Sequence, residues 1–304
     1  MRFSLAVAAS ALLAVGALAQ APQGRGGRGG GQGQAPAAGA GQAPAAAQGR
    51  GGGGRGGNQP VNQTQTFDTS AGPVKITPIY HASTLIEADG KVIYMDLAPP
   101  SPTDGLQPAD LLLITDIHGD HMNKDLVAQF SKPGATVIAA PEVVKTITNA
   151  KPLANGEKTT WDKWTIEAVP AYNIVRKNAQ GEPFHPKGRG NGYVMTFGGK
   201  RFYFSGDTEN VPELQSLQNI DVAFLCMYGQ PTMGPDEAAD LALKIKPKVV
   251  IPYHYGNYNV AVFMGRVAGS GIDVRALNWY PQNRPGGRGA APAAGAGRGA
   301  APGR

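Results

Sequence analysis

Cysteine is almost absent from this chain, because Cys226 is the only one among 304 residues. A single cysteine excludes an intramolecular disulfide and a cysteine cluster that binds zinc. It lies in the apolar run 222–227, which predicts a buried, unreactive thiol. Histidine is also scarce, with five in the whole chain, so two histidines in one short segment are informative.

Acidic residues are absent from both ends of the chain. All 22 aspartates and glutamates lie within 67–281, whereas nine of the 28 lysines and arginines lie outside that range. The formal charge of +6 therefore belongs to the ends. The central region has 19 basic and 22 acidic residues, and its net charge is about −3.

The first 19 residues have the pattern of a secretory signal peptide. Arg2 precedes an apolar, uncharged run at 5–18, and Ala17-Leu18-Ala19 is a small-x-small cleavage site. The alternative is a membrane anchor, but the run is short for a span of about 20 residues and lacks a stop-transfer flank. We expect an exported protein, periplasmic or secreted, without a transmembrane span after cleavage.

Two segments, 20–66 and 282–304, consist mainly of Gly, Ala, Gln, Pro and Arg. They have too little apolar surface to offset the entropy of ordering their backbone, so we predict a disordered linker and a disordered tail. Their Gly-Arg repeats fit a solubilising spacer best. Loose attraction to an anionic cell envelope and RNA binding are the alternatives.

The remaining 67–281 region predicts one α/β (α+β) domain. Hairpin turns are predicted at Asp89-Gly90 and Gly198-Gly199. Buried strands are predicted at 111–114, 222–227 and 249–251, the last ending at Pro252, and helices at 126–130, 142–148, 235–245 and 262–268. Each half starts with hairpins and then alternates strands with helices. This pattern predicts two mixed sheets packed face to face with helices outside, a four-layer αββα sandwich.

The sharpest motif follows the strand at 111–114 and reads Thr-Asp-Ile-His-Gly-Asp-His over 115–121. Four side chains that can ligate a metal fall within six residues: Asp116, His118, Asp120 and His121. Imidazole and carboxylate together suit zinc, manganese or iron. The alternative interpretation is a polar loop beside a capped helix.

Two later strand ends offer further ligands. Asp207 lies in a Gly-bounded turn, and His254 follows the strand that ends at Pro252. Each alone has a structural interpretation, since Asp207 could cap a helix and His254 could be a hydrogen-bonded strand-end histidine. Three strand ends with ligand-type residues nevertheless converge naturally at one edge of a sandwich.

The run 115–121 resembles the Thr-His-x-His-x-Asp-His signature of metallo-β-lactamase-fold hydrolases. The turn 206–208 is similar to the bridging-aspartate turn of that superfamily, and 252–256 to its final histidine strand. The segments 80–83 and 233–238 are similar to the branch of ascorbate-6-phosphate lactonase-like, metal-dependent hydrolases. The resemblance covers about 74–278. It implies the αββα sandwich of the metallo-β-lactamase type.

The resemblance also implies roles for individual residues. Asp120, His121 and His254 would bind one divalent metal, His118 would bind a second, and Asp207 would bridge them. Asp120 would be the catalytic residue that orients a metal-activated water. The implied function is metal-dependent hydrolysis of an ester, lactone or phosphoester bond in a small-molecule substrate.

The sequence departs from the family pattern at two places. Asp116 replaces the first histidine, and a carboxylate there tilts the preference towards manganese, iron or magnesium. The stretch 169–173 lacks the usual histidine after the middle strand. His185 is a candidate replacement ligand, and a loop or substrate-facing histidine is the alternative. We therefore expect one or two divalent metals per chain, zinc first and manganese or iron as alternatives.

Further candidates concern the substrate. His81 lies between two early strands, where it could contact substrate or be a structural histidine. Tyr228 is a candidate pocket residue by family analogy alone. The loop 176–189 carries Lys177, Lys187 and Arg189, which could attract an anionic substrate. The default interpretation of those charges is a solvated loop.

Two other classes of function compete with hydrolysis. The chain could be an exported binding module with a degenerate metal site and no catalytic activity, tethered by its Gly/Arg segments. An open coordination position that carries water would distinguish the enzyme from such a module. The Gly-Arg repeats alternatively suggest nucleic-acid binding, but export and the acidic central region argue against a nucleic-acid partner.

Overall fold

The computed structural model describes residues 64–280. The predicted signal peptide, most of the predicted linker and the whole predicted tail lie outside the described residues. The first strand begins at Gln65, so the folded region starts two residues before the predicted boundary at 67. Within 64–280, no helix has the length and hydrophobicity needed to cross a membrane.

The first half of the domain forms a seven-stranded sheet in which spatial order follows chain order. Strands β1 to β4 are antiparallel, and β4 to β7 are parallel. Helix α1 (Lys124–Phe130) and helix α2 (Pro141–Val144) lie in the connections between parallel strands. The strands are β1 Gln65–Thr69, β2 Gly72–Tyr80, β3 Ser83–Ala88, β4 Lys91–Met95, β5 Ala109–Ile114, β6 Ser131–Ala139 and β7 Lys151–Pro152.

The second half repeats this plan in a second seven-stranded sheet. Strands β8 to β11 are antiparallel, and β11 to β14 are parallel. A short 3₁₀ helix (Leu214–Ser216), α3 (Pro235–Ile245) and α4 (Val260–Val267) connect the parallel strands. The strands are β8 Lys158–Trp161, β9 Trp164–Ala171, β10 Gly190–Phe197, β11 Lys200–Phe204, β12 Val222–Cys226, β13 Val249–Tyr253 and β14 Asp273–Val274.

Both predicted hairpins are present, with turns that the sequence specifies locally. Asp89 and Gly90 join β3 to β4 with φ of 51° and 72°, and Gly198 and Gly199 join β10 to β11 with φ of 51° and 80°. Positive φ at both central residues matches the twist of two-residue hairpins, and it favours Asp-Gly and Gly-Gly.

The burial of alternate residues along β5 shows how the sheets and helices are layered. Leu111 and Leu113 belong to the larger apolar cluster, which they share with second-sheet residues such as Ile166. The alternate residues, Leu112 and Ile114, belong to a smaller cluster with residues of α1 and α2. Because successive side chains of a strand point to opposite faces, β5 lies between the second sheet and these helices. The predicted four-layer αββα sandwich is confirmed.

Strand β12 is buried along its whole length, as the apolar run 222–227 predicts. A central parallel strand is covered on both faces, so it is continuously apolar rather than alternating. Cys226 within it is a free, fully buried thiol. Burial raises the pKa of this thiol to about 11, which keeps it protonated at neutral pH.

Two prolines lie inside strands, and at one of them, Pro252, the sequence predicts a strand end. Pro133 belongs to a segment of β6 where the pairing with β5 shifts register, so its missing N–H removes no regular ladder bond. Pro252 pairs with β12 on one side, and β14 pairs only with the earlier residues Val249 and Val250. The predicted helix at 142–148 is shorter in the structure, where α2 ends at Val144.

Candidate metal centre

The candidate site residues lie at one edge of the sandwich, beyond the carboxyl ends of strands from both sheets. The loop 115–121 follows β5, Asp207 follows β11, and His254 follows β13. His81 lies between β2 and β3, and the loop that contains His185 follows β9. The topology therefore brings together side chains that are far apart in the sequence.

Three buried side chains form the centre of the site. The Nε2 atoms of His121 and His254 are 3.1 Å apart. Asp207 lies 3.3 Å from His121 through Oδ2 and 3.5 Å from His254 through Oδ1. Asp120 completes the group, because its Oδ2 is 3.5 Å from His254 Nε2 and 3.8 Å from His121 Nε2. One ligand atom each of His121, Asp207 and His254 lies within 4.8 Å of the other two.

These residues fit a divalent metal. Asp207 Oδ1 is buried without a hydrogen-bond partner among residues 64–280. Such orphan polar atoms are rare in protein interiors and need a partner. Two imidazoles and two carboxylates at one point are the donor set that zinc, manganese and iron accept. His121, His254, Asp207 and Asp120 would hold such an ion.

Asp96 orients His121, although sequence reasoning did not single it out. It is fully buried at the end of β4, and its Oδ2 lies 2.9 Å from His121 Nδ1. Thr115 donates to both oxygens of the same carboxylate, at 2.8 and 2.7 Å. Nδ1 of His121 therefore faces a carboxylate, which leaves Nε2 available to a metal.

The charges of the centre are strongly coupled. Burial opposes the charged form of His121, but the carboxylates of Asp207 and Asp96 raise its pKa well above the usual value. Burial likewise opposes ionisation of Asp207, but His121 and His254 lower its pKa well below the usual value. This surplus of buried negative charge attracts a cation, whether a proton or a metal.

His81 lies against the candidate catalytic carboxylate. Its Nε2 is 3.1 Å from Asp120 Oδ2, and its Nδ1 is 2.8 Å from the hydroxyl of Tyr280. That hydroxyl accepts from the Gly256 N–H at 2.8 Å, so its own proton can be donated to His81 Nδ1. His81 then carries its proton on Nε2 and donates it to Asp120. Tyr280 is a second residue that sequence reasoning missed.

The directions of the pKa shifts of His81 and Asp120 agree with a hydrogen bond from His81 to Asp120. Burial lowers the pKa of His81, which favours the neutral imidazole. Burial would raise the pKa of Asp120, but hydrogen bonds with His254 and His81 hold it well below its usual range. Asp120 is therefore an ionised acceptor at neutral pH. About a third of its side chain, 37%, is exposed, so solvent reaches it.

His185 reaches the centre from the loop between β9 and β10. It is buried, and its Nε2 lies 3.2 Å from Asp207 Oδ2. Asn173, at the start of the same loop, accepts from the His185 N–H at 2.8 Å and lies 2.7 Å from Nδ1. The geometry thus directs Nε2 towards Asp207. Its role as a ligand stays a prediction.

The loop that carries His185 is held by Glu209. This carboxylate accepts the backbone N–H groups of Ile174, Val175 and Arg176 at 2.8, 2.8 and 2.6 Å. Burial would raise the pKa of Glu209, but these bonds lower it. Because Glu209 is two residues after Asp207, the same turn supplies a metal-ligand candidate and anchors the loop over it.

Asp116 and His118 lie in an environment that differs from that of His121, His254 and Asp207. His118 Nδ1 is 3.1 Å from Asp116 Oδ2, and the His118 ring lies 5.0 Å from that of His185. Arg189, however, donates to both oxygens of Asp116, from Nε at 3.1 Å and from Nη2 at 3.0 Å. Sequence reasoning treated Arg189 only as a loop cation.

Tyr228 lies against two histidines of the candidate site. Its ring is perpendicular to the rings of His81 and His254, with centroids 5.4 and 5.1 Å away. Gly256 packs against it, because a Cβ at Gly256 would lie 2.6 Å from the Tyr228 ring. Contact of Tyr228 or His81 with a substrate stays a prediction.

Three site residues have left-handed backbone conformations. His81, Asp96 and His254 have φ of 56°, 50° and 47°. Non-glycine residues rarely adopt this region, and such positions concentrate at functional sites, where the fold holds them. Each of the three ends or follows a strand at the edge that carries the centre.

Comparisons with known proteins agree with the fold and the site. Residues 75–254 match the beta-lactamase superfamily domain. A metal-dependent hydrolase of Symbiobacterium thermophilum is 34% identical over 176 residues, which cover 54% of this chain and 74% of the relative. A metal-dependent hydrolase from Carboxydothermus hydrogenoformans is 29% identical over 223 residues, which cover 67% of this chain and 97% of the relative.

Solved structures give the same result. A Parabacteroides distasonis protein designated a metal-dependent hydrolase is 36% identical, with a TM-score of 0.68 and coverage of 71% of this chain and 98% of that protein. A metallo hydrolase from Ignicoccus hospitalis, at 24% identity, shares the fold with a TM-score of 0.55. The match covers 67% of this chain and 94% of that protein. The chain belongs to the metallo-β-lactamase superfamily of metal-dependent hydrolases. The family expected from the motifs is confirmed.

Proposed function

We propose that this protein is an exported hydrolase that uses a metal-activated water to cleave an ester, lactone or phosphoester bond in a small molecule. The observation that carries the proposal is the convergence of His121, His254, Asp207 and Asp120 around buried atoms that lack partners. A divalent metal held there would lower the pKa of a water and stabilise the negative charge that develops on the substrate. Zinc is the expected metal, with manganese and iron as alternatives.

The protein's own residues supply the rest of the chemistry. Asp120 is ionised and partly exposed, so it can accept a hydrogen bond from the attacking water and hold its orientation. His81 donates to the same oxygen and fixes the carboxylate. The buried ligands exclude bulk water behind the site, whereas the side chains of Asp120 and His118 are open to solvent.

Purified full chain after export tests the proposal directly. Turnover would be measured on nitrophenyl esters, γ- and δ-lactones and phosphodiesters, before chelation, after chelation and after zinc, manganese or iron is added back. We expect turnover in at least one class, loss on chelation and recovery with zinc, manganese or iron. Metal binding without turnover in any class would favour the exported binding module instead.

Export is a separate part of the proposal. It rests on the pattern of residues 1–19. Expression with the native N-terminus, followed by fractionation and N-terminal sequencing, should give a mature chain that begins at Gln20. An uncleaved chain in the cytoplasm would contradict this part and leave the hydrolase proposal standing.

A further inference from the structure

The resemblance to the family signature implies a second metal position, at which Asp116 and His118 would be ligands. In this chain one ligand atom each of Asp116, His118 and His185 lies within 4.8 Å of the others. Distance alone would therefore permit a second metal at this position. The partners that these atoms already have argue against it.

Arg189 occupies the atoms that a second metal would need. Its Nε and Nη2 donate to the two oxygens of Asp116, and Nη2 also lies 3.2 Å from His118 Nε2. The Asp116 side chain is 2% exposed and that of Arg189 is 17% exposed, so the pair is shielded from water. The other nitrogen of His118, Nδ1, faces Asp116.

A guanidinium cannot give way by losing its proton, because arginine stays protonated in proteins. A metal on Asp116 and His118 would have to displace the guanidinium from its carboxylate. The displaced positive charge would then remain beside the incoming cation. The residue after Arg189 is a glycine that packs tightly against Asp116, because a Cβ at Gly190 would lie 3.2 Å from Asp116 Oδ1.

We infer that the Arg189 guanidinium takes the place of a second metal, so that the chain binds one divalent ion rather than two. This inference rests on the proposed metal site at His121, His254, Asp207 and Asp120. It accounts for the departure at position 116, because a carboxylate there pairs with arginine whereas the family's histidine would not. The positive charge beside Asp116 and His118 is then permanent and independent of metal supply.

The test is metal stoichiometry and affinity, measured without reference to turnover. Mature chain freed of metal would be titrated with Zn²⁺ by calorimetry and with Co²⁺ by visible absorption. The variants are Arg189→Met and the double variant Asp116→His with Arg189→Met. The double variant restores the family signature. It also leaves no unpaired Asp116 carboxylate, so it serves as the test if the single variant is unstable. Lys187→Met is the matched control, because Lys187 lies in the same loop and pairs with Glu213.

We expect about one metal in the wild type and in Lys187→Met, and about two in the double variant. Arg189→Met should bind a second ion at least about tenfold more tightly than the wild type does, because the fixed positive charge beside that ion is gone. Two ions of similar affinity in the wild type, or one ion in every variant, would overturn the inference about Arg189 alone. No bound metal in any of them would overturn the proposed function and this inference together.

Discussion

His118 and His121 are three residues apart in one loop, yet their imidazoles have different surroundings. His121 is fully buried, and Asp96 engages its Nδ1 so that Nε2 faces Asp207 and His254. The His118 side chain is 40% exposed, and Asp116 and Arg189 engage its two nitrogens. The motif provides equivalent residue types, and the partner of each ring decides which nitrogen a metal can use.

The largest effect should follow removal of the Asp120 carboxylate, which would both bind the metal and orient the attacking water. Asp120→Ala should lower kcat by about 10²- to 10⁴-fold, the range for a positioned acid–base group. The fold should remain intact, because the Asp120 side chain is partly exposed. Hydrolysis rates and circular dichroism check this. Activity within twofold of the wild type would refute the role assigned to Asp120.

The two imidazoles can be compared directly. His121→Ala should weaken metal binding by more than the roughly 10- to 100-fold that loss of an outer partner causes. His118→Ala should change metal affinity by less than about tenfold, since Arg189 and Asp116 already engage it. Parallel calorimetric titrations measure both. Equal losses would show that the two sides of the site do not differ as the structure indicates.

The buried partner of His121 should matter nearly as much as a ligand. Asp96→Asn keeps the size of the side chain but removes its charge, and should weaken metal affinity by about 10- to 100-fold. Asp110→Asn is the matched control, because Asp110 also accepts a backbone N–H, from Val92, but lies away from the centre. An unchanged affinity in Asp96→Asn would mean that Asp96 serves only the fold.

His185→Ala should have a smaller effect. Its Nε2 faces Asp207, so its loss should lower metal affinity or raise KM by about tenfold. Titration and steady-state kinetics on the same preparation separate the two. If neither quantity changes, the histidine is a bystander that Asn173 holds in the loop.

The smallest effect is expected at the ends of the chain. Removal of 20–63 and 282–304 should leave Tm and turnover unchanged if these segments are spacers. A deletion extended through β1 should lower Tm by roughly 10 °C, because it removes the buried Phe67, whose ring lies 5.7 Å from Phe202. A large loss from the shorter deletion would show that the ends are more than spacers.

The sequence predicts those parts of the molecule that depend on neighbours in the chain. The hairpin turns at 89–90 and 198–199 and the bounds of α3 follow from turn chemistry and periodicity, and the structure has them where predicted. The ligand candidates follow from the motif at 115–121. These features are local, so a single sequence contains enough information to recognise them.

The parts that escaped prediction depend on partners far along the chain. Arg189 contacts Asp116 across 73 positions, and Tyr280 contacts His81 across 199. Asp96 is 25 positions from His121. No local pattern marks such residues, because strand pairing within a sheet, for Asp96, and packing of the two sheets, for Arg189 and Tyr280, bring them to the same edge. These partners decide orientation and charge at the site.

The most direct test of the central claim is an anomalous-difference map from crystals of the mature protein grown with zinc and measured at the zinc edge. We expect one strong peak among His121 Nε2, His254 Nε2, Asp207 and Asp120, and none between Asp116 and His118. A map without a peak at the first position, from protein that binds zinc in solution, would contradict the account.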